Sequence, residues 1–218
     1  MTCKLCETRR PRRACPGVGG QICAVCCGTE RETTVSCPLD CPFLQEAHRH
    51  EKPPEIDPEQ VPNRDVEVSE GFVDEHRGLV MFTAFSLLEA ALQASSAVDS
   101  DAREALESLI RTYRTRESGL YYETRPANLL AAHIHQHMQK SFDEYRKSER
   151  ERAGLTTVRD AEILGVLVFW QRVALRYNNC RRLGRPFLSM LRNSLAEAGL
   201  SHGPQGWQTR SQSPLVIP

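Results

Sequence analysis

Eight of the nine cysteines in this 218-residue chain lie within its first 41 positions: Cys3, Cys6, Cys15, Cys23, Cys26, Cys27, Cys37 and Cys41. The opening Met1-Thr2-Cys3-Lys4-Leu5-Cys6 has no apolar segment behind a basic flank, so no secretory signal is expected and the default compartment is the reducing cytoplasm. Thiols crowded together in such a compartment are metal ligands before they are disulfides.

The spacing supports the same reading. C-x2-C from Cys3 to Cys6 is followed by Cys15, then C-x2-C-C from Cys23 to Cys27, then C-x3-C from Cys37 to Cys41, with His48 and His50 beyond. A C-x2-C turn offers two sulfurs to one ion, and zinc takes four soft ligands in a tetrahedron, so eight thiolates suggest two zinc ions. In the preferred partition Cys3, Cys6, Cys23 and Cys26 hold one ion while Cys15, Cys27, Cys37 and Cys41 hold the other, because adjacent Cys26 and Cys27 point in different directions. The alternative groups Cys23 and Cys26 or Cys27 with Cys37 and Cys41, leaving the first three cysteines to recruit the spare cysteine or His48. Gly17, Gly19, Gly20 and Gly28 supply the permissive backbone of ligand turns. An iron–sulfur cluster is the rival centre, but the close C-x2-C-x2-C runs of ferredoxins are missing. A fully thiolate zinc site has no open coordination position, which makes it structural rather than catalytic. In a module of about 45 residues the metal supplies the folding energy that a small core cannot.

Cys15-Pro16-Gly17, the run Gly20 to Arg31 and the run Cys37 to Leu44 together resemble a cysteine-rich zinc-binding segment of bacterial proteins that join it to an α-helical region. The resemblance implies a zinc module followed by helices and brings no activity with it. The spacing is also distantly similar to the cross-braced two-zinc fingers of the HIT and MYND type. It departs from them at the Cys26-Cys27 doublet, the gap before Cys37 and the lack of a final His-x3-Cys, so their ligand pairing is not carried over.

Charge divides the chain into parts. Residues 1–50, the Cys-rich two-zinc module, carry net +2; residues 51–75 carry two basic against nine acidic side chains; residues 76–218 carry net +5. Within the acidic stretch, Pro53, Pro54, Pro58 and Pro62 predict an extended linker over 51–71, a spacer or a strap over a basic surface. A bundle of four to five helices is predicted over 72–199, and the polar residues 200–218 read as a disordered tail. The fold class is therefore mainly α, a small zinc-binding module plus a helical bundle.

Caps and periodicity place the helices. The first is predicted over Phe72–Ala97, apolar around most of its circumference with Thr83, Ser86, Glu89 and Gln93 as a polar strip. The second starts at Asp99 or Ser100 and stops at Gly119; the third opens at Thr124-Arg125-Pro126 and ends at Gly154. The fourth, capped by Thr156 or Thr157, is apolar nearly all round and runs to Gly184; the fifth spans Pro186–Ala198. The longest apolar run, Ile163 to Trp170, falls short of the roughly 18 residues a membrane span needs, so no membrane association is expected. Cys180 reads as a buried thiol of the fourth helix.

Two arginine clusters offer contact surfaces. Arg9, Arg10, Arg12 and Arg13 lie between the first knuckle and Cys15. Arg172, Arg176, Arg181, Arg182, Arg185 and Arg192 are interleaved with Phe169, Trp170, Tyr177 and Phe187, a pattern that suits phosphates and unstacked bases. Against a nucleic-acid partner stand a net charge of zero, a bias of 24 Arg to four Lys, and aromatic residues at core spacing. His133 and His137 share a helix face at i, i+4, the spacing of a metal pair, with His135 pointing away; no Glu stands where a zinc protease has one. Phosphate-binding glycine loops, nucleophile elbows, paired carboxylates and H-E-x-x-H are missing, so no catalytic residue is nominated. The expected role is non-catalytic, zinc-stabilised recognition of a protein partner. The alternatives are a nucleic-acid-binding regulator acting through the arginines and a metal-dependent enzyme around His133 and His137.

Overall fold

Two short strands, β1 (Arg13–Cys15) and β2 (Gly20–Ile22), pair antiparallel with Arg13 opposite Ile22 and open the computed structural model, which describes residues 2–154, 158–203 and 206–209. Two short helices follow, α1 (Ala24–Glu30) and α2 (Pro42–His50). Cys23 caps α1 with its own sulfur, which accepts the Cys26 backbone N–H, and proline at the first position starts α2 where its missing N–H costs nothing. Gly17 is required by close approach: a Cβ there lies 2.5 Å from the Ser36 carbonyl oxygen.

The segment after α2 lacks strands and, apart from one 3-10 turn at Pro58–Gln60, lacks helix. Its far end runs against the bundle. Arg114 forks onto Asp65 (2.6 and 2.8 Å) and reaches Asn63 Oδ1, while Arg172 Nη2 donates to the carbonyls of Asn63 and Val66. Acidic and carbonyl oxygens of the linker thus answer guanidinium groups of two bundle helices.

The rest is mainly helical: α3 (Glu70–Glu75), α4 (Arg77–Gln93), α5 (Asp99–Glu117), α6 (Leu129–Ala153), α7 (Asp160–Arg176) and α8 (Pro186–Glu197). The predicted first helix breaks in two at His76, whose φ of −101° and ψ of 23° leave the helical region and whose ring packs 4.4 Å from that of Phe72. α4 is then central, and the first half of its polar strip is inside: Thr83 and Ser86 are buried, the Thr83 hydroxyl donating back to the Leu79 carbonyl, while Glu89 is half-buried and Gln93 exposed. α6 starts later than Pro126, because Asn128 is the better cap: its Oδ1 accepts the N–H groups of Leu130 and Ala131. Gly154, in the left-handed region at φ 74°, ends it. The proposed caps Thr156 and Thr157 lie outside the described residues; α7 begins with Glu162 reaching back to the Arg159 N–H. α7 stops at Arg176 rather than Gly184, so 177–185 is a loop.

The core joins Leu87, Leu88, Leu106, Leu109, Ile134, Met138, Phe142, Leu167 and Phe187, all at most 1% exposed. Trp170 ties α7 to α4 through its Nε1–H, which donates to the Val80 carbonyl. Residues 200–209 include a small antiparallel pair, β3 (Leu200–Gly203) and β4 (Gly206–Thr209), with Gly203 opposite Gly206, where the composition predicts a structureless tail. Two strands of four residues are too short to show a strand period, so the polar composition does not reveal them. Residues 210–218 of the predicted tail lie outside the described residues. Among the described residues no helix is long and apolar enough to cross a membrane.

Candidate metal centre

The β1–β2 hairpin and α1 bring four cysteines to one point. The sulfurs of Cys3, Cys6, Cys23 and Cys26 all lie within 4.8 Å of one another, and no cysteine among the described residues is in a disulfide. Local chain geometry accounts for this gathering. The Cys3 N–H donates to the Arg9 carbonyl and the Glu7 N–H to the Cys3 carbonyl, closing the first knuckle. The Cys23 N–H donates to Cys3 Sγ at 3.2 Å, docking that knuckle on the entry to α1. Cys26 follows on the first turn, its own N–H aimed at Cys23 Sγ at 3.4 Å. Cys3, Cys23 and Cys26 are buried and pack with Ile22.

The four sulfurs differ in how readily they give up a proton. Hydrogen bonds from the Thr8 side chain and the backbone N–H groups of Arg9 and Thr8 hold the Cys6 thiol down to about 5. Cys26 is pushed the other way, up to about 12, first by its hydrogen bond with Cys23, then by burial and by Cys6 and Cys3. The last proton therefore stays among the sulfurs unless a positive ion takes its place. Four soft, converging thiolates without a nitrogen or oxygen donor fit zinc, and such a set leaves no position for substrate. Four-cysteine clusters also hold iron–sulfur centres; the arrangement is a possible metal site by its donors, not by the identity of an ion.

The remaining module cysteines divide differently. Cys37 and Cys41 are buried with Val35 and Leu44, Cys15 packs against them, and charges on Cys41 and Cys15 add to the burial that raises the Cys37 thiol. Cys27 instead lies beside the first cluster, with Arg31 Nη2 at 3.8 Å from its sulfur. Among the described residues, Cys15, Cys27, Cys37 and Cys41 do not gather within 4.8 Å of one another as the first four do. His48, the spare ligand of the alternative partition, is elsewhere: its ring joins Glu32 and Ser189.

The arginine hairpin is partly committed to the module itself. Arg9 donates to the Cys23 sulfur, and Arg13 stacks its guanidinium 4.5 Å from the centroid of the Phe43 ring. Arg10 and Arg12 are exposed. In the second cluster Arg172 is held by the linker, Arg181 Nη1 donates to the Arg31 carbonyl, and Arg185 is buried. The accompanying aromatics are largely internal: Phe187 is fully buried and Trp170 nearly so, with Tyr177 outside.

On α6 the histidines take positions set by the stripe Ala131, Ile134, Met138 and Phe142. His135, turned away from the His133 side of the helix, is buried; His133 is exposed, and the half-buried His137 has its Nε2 3.3 Å from Glu89. His133 and His137 belong to no group of three or more metal-ligating side chains among the described residues. Cys180 is exposed, not buried, because α7 ends before it and the loop carries it at a left-handed φ of 56°.

Sequence reasoning missed the seam that joins module to bundle. Glu32 is fully buried and accepts from His48 Nε2, Asn179 Nδ2 (2.9 Å) and the Arg185 backbone N–H (2.6 Å), while its own carbonyl accepts the Leu183 N–H. Arg185 reaches the carbonyls of Ala97, Cys37 and Ser95. Partners 147 to 153 positions apart leave no periodic trace. No protein-family model, curated protein or solved structure matches the chain.

Proposed function

We propose that this chain is a zinc-stabilised recognition protein of the reducing cytoplasm, in which metal fixes the shape of a small module and the module's outer face meets a protein partner. The observation that carries the reading is the convergence of Cys3, Cys6, Cys23 and Cys26, a donor set that is closed to substrate. Zinc occupies that set, and a second zinc draws together Cys15, Cys27, Cys37 and Cys41. The metal does no chemistry here; it replaces thiol protons and holds the β1–β2 hairpin against α1. Arg10 and Arg12 are then presented from a rigid base, which lowers the ordering cost of a contact. The resemblance to cysteine-rich segments of bacterial proteins belongs to the same reading.

A photo-crosslinking residue placed at the exposed Ala14 of the zinc-loaded full chain tests it. The expected result is a saturable crosslink to a protein, lost in an Arg10→Ala/Arg12→Ala variant of unchanged zinc content. Crosslinking insensitive to those arginines contradicts the reading. Tight oligonucleotide binding that weakens steeply with salt replaces it with the nucleic-acid alternative.

A further inference from the structure

A second group of metal-ligating side chains, without cysteine, sits at the seam. Carboxylate oxygens of Glu32 and Glu51 and a ring nitrogen of His48 all lie within 4.8 Å of one another. They come from the turn after α1, the last residues of α2 and the residue that ends it.

The chain holds Glu32 there by unusual means. Its φ of 55° is in the left-handed region, which a side-chain-bearing residue adopts at a cost, and the hydrogen bonds of its N–H to the Val35 carbonyl and of the Leu183 N–H to its own carbonyl fix it. The carboxylate is fully buried, yet no lysine or arginine side chain among the described residues lies within ion-pair distance of it. Its donors are the Asn179 amide, the Arg185 backbone N–H and His48. The neighbouring Arg185 guanidinium spends its hydrogen bonds on three carbonyls.

His48 is set for the same purpose. Its Nδ1 is 3.0 Å from Ser189 Oγ, and its Nε2 is 3.0 and 3.1 Å from the two Glu32 oxygens. The Nε2 proton that Glu32 accepts is the one a cation displaces: with a proton on Nδ1 donated to Ser189, the Nε2 lone pair then faces the ion, and metal-bound imidazoles are oriented by a partner on their other nitrogen in this way. Glu51 is loosely held, with Asn179 Nδ2 at 3.4 Å and Arg181 Nη2 at 4.0 Å. His48, Glu51 and Asn179 line a cavity of about 620 Å³ whose walls include Arg176, Tyr177 and Met190.

We propose that Glu32, His48 and Glu51 bind one divalent cation with its remaining coordination positions open to this cavity. Two carboxylates and one neutral imidazole balance a charge of +2. Their mixed oxygen and nitrogen donors suit a first-row ion such as Mn²⁺ or Fe²⁺, and they differ from the soft sulfur set that selects zinc in the module. The site stands on residues separate from the cysteines, so it is independent of the recognition reading.

The test is a titration of the zinc-loaded full chain with Mn²⁺, following loss of the free-ion signal by electron paramagnetic resonance. Manganese is the probe because it competes poorly for thiolates. The expected result is one Mn²⁺ per chain, bound at least about tenfold more weakly by Glu51→Gln, with zinc content and circular dichroism unchanged. Glu46→Gln, at an exposed carboxylate of α2, leaves the affinity as it was. Retention of the full free-ion signal in millimolar excess, or equal binding by wild type and Glu51→Gln, overturns the proposal.

Discussion

Glu32 and His48 meet at 3.0 Å across the seam between the cysteine module and the helical bundle, with the carboxylate wholly excluded from water. Burial raises the Glu32 carboxyl, but the hydrogen bond and charge of His48, with donors from Arg185 and Asn179, outweigh it and hold the group below the usual carboxylate range. A buried carboxylate satisfied by donors from two parts of the chain couples the folding of one part to the other.

Replacing Glu32 by Gln should therefore cost far more than a surface change. The amide puts a donor where His48, Asn179 and the Arg185 N–H already donate, so a loss of about 2–3 kcal/mol is expected, and about 3–5 kcal/mol for Glu32→Ala. Urea unfolding of zinc-loaded protein measures it. A change within about 0.5 kcal/mol, the range of ordinary surface substitutions, contradicts the role given to this residue.

Asp99 gives a pH dependence of the less common sign. Its carboxylate accepts the N–H groups of Phe187 and Leu188 at the start of α8, but burial dominates and raises its pKa to about 7; Arg103 opposes the rise and Glu32 adds to it. Between about pH 4 and pH 7 the folded chain then binds more protons at this site than the unfolded chain, so stability falls as pH rises through that window and levels off above it. The difference is at most about 4 kcal/mol. Urea midpoints of wild type relative to Asp99→Asn, measured from pH 5 to pH 8, should decline toward pH 7. A difference that is flat over this range contradicts the assignment.

α7 passes close to the Phe72 ring at Gly165: a Cβ there lies 2.5 Å from Phe72 Cζ, so a larger residue has to displace the ring. Gly165→Ala should destabilise the bundle by about 1–3 kcal/mol despite the better helix propensity of alanine. The loss should shrink in a Phe72→Ala background, since the clash goes with the ring. Equal losses in both backgrounds, measured by thermal unfolding, argue against this contact.

Local signals carried the sequence reading, and tertiary packing set its limit. Helices such as Asp99–Glu117 and Pro186–Glu197 were legible from apolar period and from glycine or proline at their ends. The Cys3, Cys6, Cys23, Cys26 grouping followed from two C-x2-C turns, again local. The break at His76 and the exposure of Cys180 did not follow, because packing decides where an apolar run bends or stops. The Glu32 seam was beyond reach for a related reason: its partners are brought together only by the finished fold.

Zinc content per chain tests the central claim most directly, by elemental analysis of the full chain purified without chelator beside a Cys3→Ser/Cys6→Ser variant. Two zinc ions are expected in the wild type and a loss of at least one in the variant, since two of four sulfurs cannot hold a tetrahedral site. Iron in place of zinc, no stoichiometric metal, or zinc undiminished in the variant contradicts the claim.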